Sequence, residues 1–268
     1  PEDWDTYRDV AEFTREKGET LAGEKLKTNF YGVSMCGKRH DATTCEWLNY
    51  AWSFGGGVFD DEGNLNINSA ESVEALEYFC DLAQFAPEGI ASKTWDEQTT
   101  EMQQGIAAMS VLFNDNYAAL EDPDSSTIVG KVGYTTVPVK EKEVARLRRL
   151  GVLYSYGLQK SGGSVGIYAV VQHSGSTEKY CSGRRFPNLQ SCYEDEELKE
   201  IPYWEGSQKA YEISTTRPRI AEWPKMDEIL MLQLSNAVTG ESTPQEALDQ
   251  AAKEFEELLG DKLPIQYQ

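Results

Sequence analysis

The chain has 268 residues, enough to bury one large core or two ordinary ones. With 45 Asp and Glu against 25 Lys and Arg its formal charge is −20, a field that repels phosphate backbones and anionic membrane surfaces and makes nucleic acid and lipid poor candidate partners. The best apolar run, VGIYAVV at 165–171, is far too short to span a bilayer. A soluble chain is expected, with any signal peptide already removed or outside it, because Pro1 opens without a charged and then apolar leader.

Trp4, Tyr7, Val10, Ala11 and Phe13 recur at helical spacing behind a capping Asp3, so an amphipathic helix opens the chain and ends near Gly18. FYGVSM then reads as a short strand and CEWLNYAWSF as an aromatic-rich helix stopped at Gly55-Gly56-Gly57. The glycine triplet lacks both the Lys-Ser/Thr of a P-loop and a GxGxxG spacing, which leaves a helix stop as the better reading. VFDDEGNLNIN is a hairpin turning at residues 61–64, whose glycine falls too early for a calcium loop.

A capped helix follows Asn68-Ser69, with Val73, Leu76, Phe79, Cys80 and Ala83 on its buried face. Thr94 and Glu97 form a capping box for the next helix, which Gly105 stops, and IAAMSVLF and KVGYTTVPV read as strands. Residues 140–149, KEKEVARLRR, are a basic run in an acidic chain, either a solvated linker or a docking patch. LGVLYSYGL alternates as a strand with Tyr154 and Tyr156 on one side. Thr243, Pro244 and Glu246 start a final helix with Ala247, Leu248, Ala251, Phe255, Leu258 and Leu259 as its stripe, up to Gly260. Helices alternating with strands define an α/β chain.

Five cysteines leave one unpaired if disulfides form. Cys36 with Cys45, and Cys181 with Cys192, bracket loop-like stretches suited to local disulfides, with five reduced thiols the open alternative. A zinc site at Cys36, His40 and Cys45 lacks a fourth ligand at a familiar spacing and ranks below a disulfide. No cofactor and no metal are expected, and no nucleophile motif is present.

The blocks AWSFGGGVFDDEGNLNINSAESVEALEYFCDL, QQGIAAMSVLFNDNYAAL, GKVGYTTVPV, YEDEELKEIPYW, RPRIAEWP and AVTGESTPQEALDQAAKEFEELL, in this order, resemble the extracellular solute-binding proteins of ABC importers, in particular the maltose/trehalose-like sugar-binding branch. The resemblance implies a two-lobed, type II periplasmic-binding-protein-like α/β fold. Family members are usually longer, so the chain resembles one lacking the first part of its N-terminal lobe. Residues 1–139 and 193–268 would then be C-terminal lobe, and 140–192 a hinge crossing and a returning N-terminal-lobe segment, although SGGSVGIYAVVQHSGSTEKYC departs from the family's amphipathic helix there. A periplasmic or extracellular monomer is implied, tethered to the membrane if at all through an absent N-terminal segment, with a sugar ligand and an ABC transporter permease as partners.

Sugars present hydroxyl edges and apolar C–H faces, so a site for them pairs flat rings with directional polar groups. In open α/β sheets ligands lie beyond the carboxyl ends of strands, where IAAMSVLF delivers Asp115, Asn116 and Tyr117. By resemblance Tyr117 is the sugar-stacking ring, Tyr154 and Tyr156 a second ligand-facing strand, Glu46 and the preceding Thr44 polar contacts from a helix start, and Arg217 an arginine reaching the cleft. Extracytoplasmic sugar binding and delivery to a permease by lobe closure is the expected function. A carbohydrate-active enzyme using Asp115 and Glu46 as paired carboxylates and an acidic interaction domain without a small ligand are the alternatives.

Overall fold

The computed structural model describes residues 1, 3–17, 30–113, 116–140, 200, 205 and 216–266. Helix α1 (Trp4–Lys17) begins where Asp3 Oδ1 accepts the Thr6 backbone N–H at 2.7 Å. Its buried stripe is Trp4, Tyr7, Ala11 and Thr14, spacings of three and four, whereas Phe13 falls on the opposite face and is 53% exposed. Phe13 is therefore not part of the stripe to which its spacing assigned it.

Strands β1 (Tyr31–Ser34) and β2 (Ala107–Ser110) pair in parallel, with Val33 opposite Met109, and form the two-stranded sheet of the described residues. Parallel neighbours need a crossover, supplied by α2 (Asp41–Phe54), α3 (Ala70–Leu82) and α4 (Trp95–Gln103). Helix α1 lies so close to β1 that a Cβ on Gly32 would stand 2.2 Å from the Ala11 carbonyl oxygen. The short α5 (Tyr117–Leu120) follows β2, and α6 (Trp223–Thr239) and α7 (Pro244–Leu259) complete the α-helices of the described residues.

Helix α2 is the centre of the core. Every residue of Ala42–Phe54 except Trp52 is buried, because α2 packs against both α3 and α6. Each large apolar side chain sealed there contributes about 1.5–3 kcal/mol. Trp4 stacks on Tyr50 at 4.4 Å between ring centroids, and its indole N–H donates to Ser53 Oγ at 2.6 Å, which satisfies its one polar atom. Gly55, at φ 95°, terminates α2 in the left-handed conformation as the glycine stop requires.

The helix starts behave as their capping residues dictate. Ser69 Oγ accepts from Ser72 N, and capping boxes form at Thr94 with Glu97 and at Thr243 with Glu246. The hairpin closes through the antiparallel bridge Phe59 to Leu65, with Asp60 accepting from the backbone N–H groups of Glu62 and Asn64. Two expectations change. KVGYTTVPV is not a regular strand: it makes one bridge, Val139 to Asp3, while Pro138 has no N–H to offer a ladder. Cys36 and Cys45 are separate buried thiols rather than a disulfide. Cys36 Sγ donates to Gln98 Oε1 at 3.4 Å and Cys45 Sγ to Asp41 Oδ1 at 3.3 Å, and His40 Nδ1 caps α2 by accepting from Ala42 N, so these three side chains are engaged apart from any shared metal. Cys181 and Cys192, the basic run from residue 141 onward and the strand with Tyr154 and Tyr156 lie outside the described residues. No helix among the described residues is long and apolar enough to cross a membrane.

Candidate functional site

Along β2 and the residues that follow its carboxyl end lies a cavity of ≈ 180 Å³. Its aromatic wall comprises Trp95 at the start of α4, Phe113 after β2, Tyr117 at the start of α5, Tyr134, and Tyr7 of α1. Trp95 and Phe113 meet edge to face at 5.5 Å, and Tyr117 and Tyr134 tilt against each other at 4.8 Å. Tyr117 is half-buried, its phenol pushed up to about 12 by loss of solvent. The polar wall includes Glu46 and Asn49 of α2 and Gln98 of α4.

Glu46 is the unusual member. Sequence places it near the start of α2, and core packing of that helix leaves it 4% exposed. Its Oε2 accepts from the Cys36 backbone N–H at 2.7 Å and from Gln98 Nε2 at 3.1 Å, while Oε1 is buried without a hydrogen-bond partner. Burial raises the carboxyl to about 8, more than the Cys36 and Gln98 hydrogen bonds lower it. A neutral carboxylic acid can both donate and accept, so Glu46 can meet a hydroxyl in either sense.

Gln98 holds the polar wall together: besides Glu46, its amide reaches the Ser34 carbonyl at 3.1 Å and the Val111 carbonyl at 3.3 Å, joining the ends of both strands to α4. Beneath it, Lys93 and Glu101 form a buried ion pair at 2.7 Å, and Ser34 Oγ donates to Glu101 at 2.6 Å.

Of the residues the sequence singled out, Glu46 and Tyr117 come together in the cavity lining. Asn116 directly precedes α5 but is not among the lining residues, and Asp115, Tyr154 and Tyr156 lie outside the described residues. Thr44 and Arg217 belong to a different cluster. Arg217 pairs with Asp41, stands 3.7 Å from Asp227, and stacks 5.6 Å from the Trp223 ring centroid. Burial, then the charge of Asp41, raises the Asp227 carboxyl, which Arg217 and the nearby Thr44 hydroxyl pull down. Thr44 Oγ1 and Asp227 Oδ1 still lack a partner in good hydrogen-bond geometry. Sequence reasoning missed Gln98, Trp95 and Tyr134. Trp95, a ring immediately after the N-cap Thr94, carried a readable signal; Gln98 carried none, since its partners are set by tertiary packing.

A parallel sheet whose carboxyl edge opens into a ring-lined, hydroxyl-ready cavity is the architecture of a solute-binding α/β protein. Residues 1–179 match the family model for the bacterial extracellular solute-binding protein, and the chain belongs to that family. Over 260 residues it is 26% identical to a "Probable ABC transporter-binding protein" of Deinococcus radiodurans, covering 92% of this chain and 60% of that relative. Among solved structures it is similar to an ABC transporter solute-binding protein from Agrobacterium radiobacter K84 in complex with ribitol, with TM-score 0.75 and 25% identity over 96% of this chain and 65% of that one. It is also similar to the maltose-bound MalE3 of T. maritima, with TM-score 0.71 and 23% identity over 97% of this chain and 66% of that one. The fold is the type II periplasmic-binding-protein fold, and the family is one of solute-binding proteins rather than enzymes. The chain spans about two thirds or less of the length of these relatives.

Proposed function

We propose that this chain is the ligand-binding part of an extracytoplasmic receptor that captures a sugar or polyol and hands it to an ABC transporter permease. The observation that carries the reading is the pairing of Glu46, buried with a free carboxyl oxygen, with the rings of Tyr117, Tyr134 and Trp95 around one cavity. Rings cover the apolar face of a carbohydrate while the carboxyl and the amides of Gln98 and Asn49 take its hydroxyls. Family membership and the ribitol complex of a relative support the solute class.

In this reading residues 1–139 and 193–268 belong to the C-terminal lobe, 140–192 cross the hinge and return through the N-terminal lobe, and closure of the lobes presents the loaded receptor to the permease. Asp115, Asn116, Tyr154 and Tyr156 contribute from the cleft edge, and Thr44 and Arg217 act behind it. The location is periplasmic or extracellular and the protein is a monomer.

The test is titration calorimetry and thermal shift with ribitol, sorbitol, glucose, galactose and maltose. Saturable heat and a rise in Tm with at least one, and no new product by chromatography, is the expected result. Silence across the panel, or turnover of any member, would overturn the reading.

A further inference from the structure

Resting on that reading, we infer that the solute class is narrower than neutral carbohydrate: the cavity is built for a polyhydroxylated ligand carrying a protonated amine, with Glu46 as its counter-ion. Three observations lead there. Glu46 is more than nine-tenths buried, and Oε1 has no partner while Oε2 has two. An amide would serve the Cys36 N–H equally well, whereas only a carboxyl can also become a counter-ion. No lysine, arginine or histidine side chain is among the described lining residues, although Pro1 is one of them. Tyr7, Trp95, Tyr117 and Tyr134 belong to the same lining, and aromatic quadrupoles attract an ammonium group. The formal charge of −20 adds long-range attraction for cations in the same sense.

The proton balance distinguishes this ligand from a neutral one. Burial keeps Glu46 protonated at neutral pH in the empty cavity. The other titratable groups that interact with it, Tyr7 of α1, Tyr50 of α2 and Cys36 after β1, are held protonated by burial as well. When an ammonium group enters, the Glu46 proton leaves to buffer and a carboxylate–ammonium hydrogen bond forms; a neutral sugar leaves the proton in place.

The experiment is calorimetry of the whole chain at pH 7 with matched probes: glucosamine against glucose, galactosamine against galactose, and 1-amino-1-deoxysorbitol against sorbitol, each in phosphate and in Tris. In at least one pair the amine binds about tenfold or more tightly than its neutral partner, and its apparent enthalpy differs between the two buffers by the heat of a released proton. Glu46→Gln removes both the amine preference within a pair and the proton release, whatever it does to the neutral probe. Equal or weaker binding of the amine in every pair, or buffer-independent enthalpy for an amine that binds, overturns the inference and leaves sugar binding intact. Failure of all six probes to bind overturns the inference, and the proposed function falls with it only when ribitol and maltose are silent as well.

Discussion

The Glu46 carboxyl is held by the Cys36 backbone N–H at 2.7 Å, so an acid on α2 is fastened to the residue two positions past the end of β1. This bond fixes the acid's position while burial opposes its charge, and the two effects separate in a pH experiment.

The folded-state value of Glu46 is raised from 4.5 to about 8. A group raised on folding contributes stability that is complete below its unfolded value and is lost as pH rises through the folded one. Stability should therefore fall between about pH 4.5 and 8 by an amount on the order of a few kcal/mol, and this slope should flatten in Glu46→Gln. Urea unfolding at pH 5 and pH 8 checks it; an unchanged slope in the variant would assign the titration elsewhere.

Arg217 stands between Asp41 and Asp227, with all three side chains largely withdrawn from water. Replacing Arg217 by Met leaves two neighbouring carboxylates uncompensated, at a cost of about 3–5 kcal/mol. Since the raised Asp227 carboxyl can escape by taking up a proton, the loss should be smaller at pH 5 than at pH 8, and Asp227→Asn should recover part of it. Chemical denaturation of the single and double variants measures both effects.

Gly32→Ala would drive a methyl group into the Ala11 carbonyl, which lies on the backbone of α1 and cannot rotate away. The expected cost is about 3 kcal/mol, with loss of near-ultraviolet circular dichroism from Trp4 as α1 lifts. A variant with wild-type Tm and spectrum would show that α1 accommodates the methyl group.

Tyr117→Ala should weaken any sugar or polyol that binds by about tenfold while changing Tm of the empty protein little, because the ring is half-buried and belongs to a four-residue helix. Tyr117→Phe should keep most of the affinity if the face of the ring does the binding. Calorimetry with the best probe decides it.

Elements whose signals are local were readable from the sequence. Helix α7 announces itself through Thr243, Pro244, Glu246 and the stripe ending at Leu259, all within one segment. Tyr117 was singled out as a ring in polar company just past the expected strand IAAMSVLF, and it lines the cavity although β2 itself ends at Ser110. Helix α6 was not singled out: with Ile229, Met231 and Leu232 beside the buried Leu230, it lacks polar contrast, because it packs against both α2 and α7. Residues 131–139 imitate a strand, since alternation in TTVPV records contact on two sides without revealing whether a neighbouring strand exists. The state of Glu46 depends on Cys36 and Gln98, partners 10 and 52 positions away, and no local pattern encodes that meeting.

Helix α2 is at once the most deeply buried helix among the described residues and a wall of the cavity. Its amides should be among the slowest to exchange with deuterium, opening only in global unfolding. An occupant resting against Glu46 and Asn49 thus adds to the protection of a deeply buried helix, and exchange of its amides should slow in step with saturation. Occupancy would be recorded at the deepest point of the fold, by mass spectrometry, without any label or substitution at the mouth of the cavity.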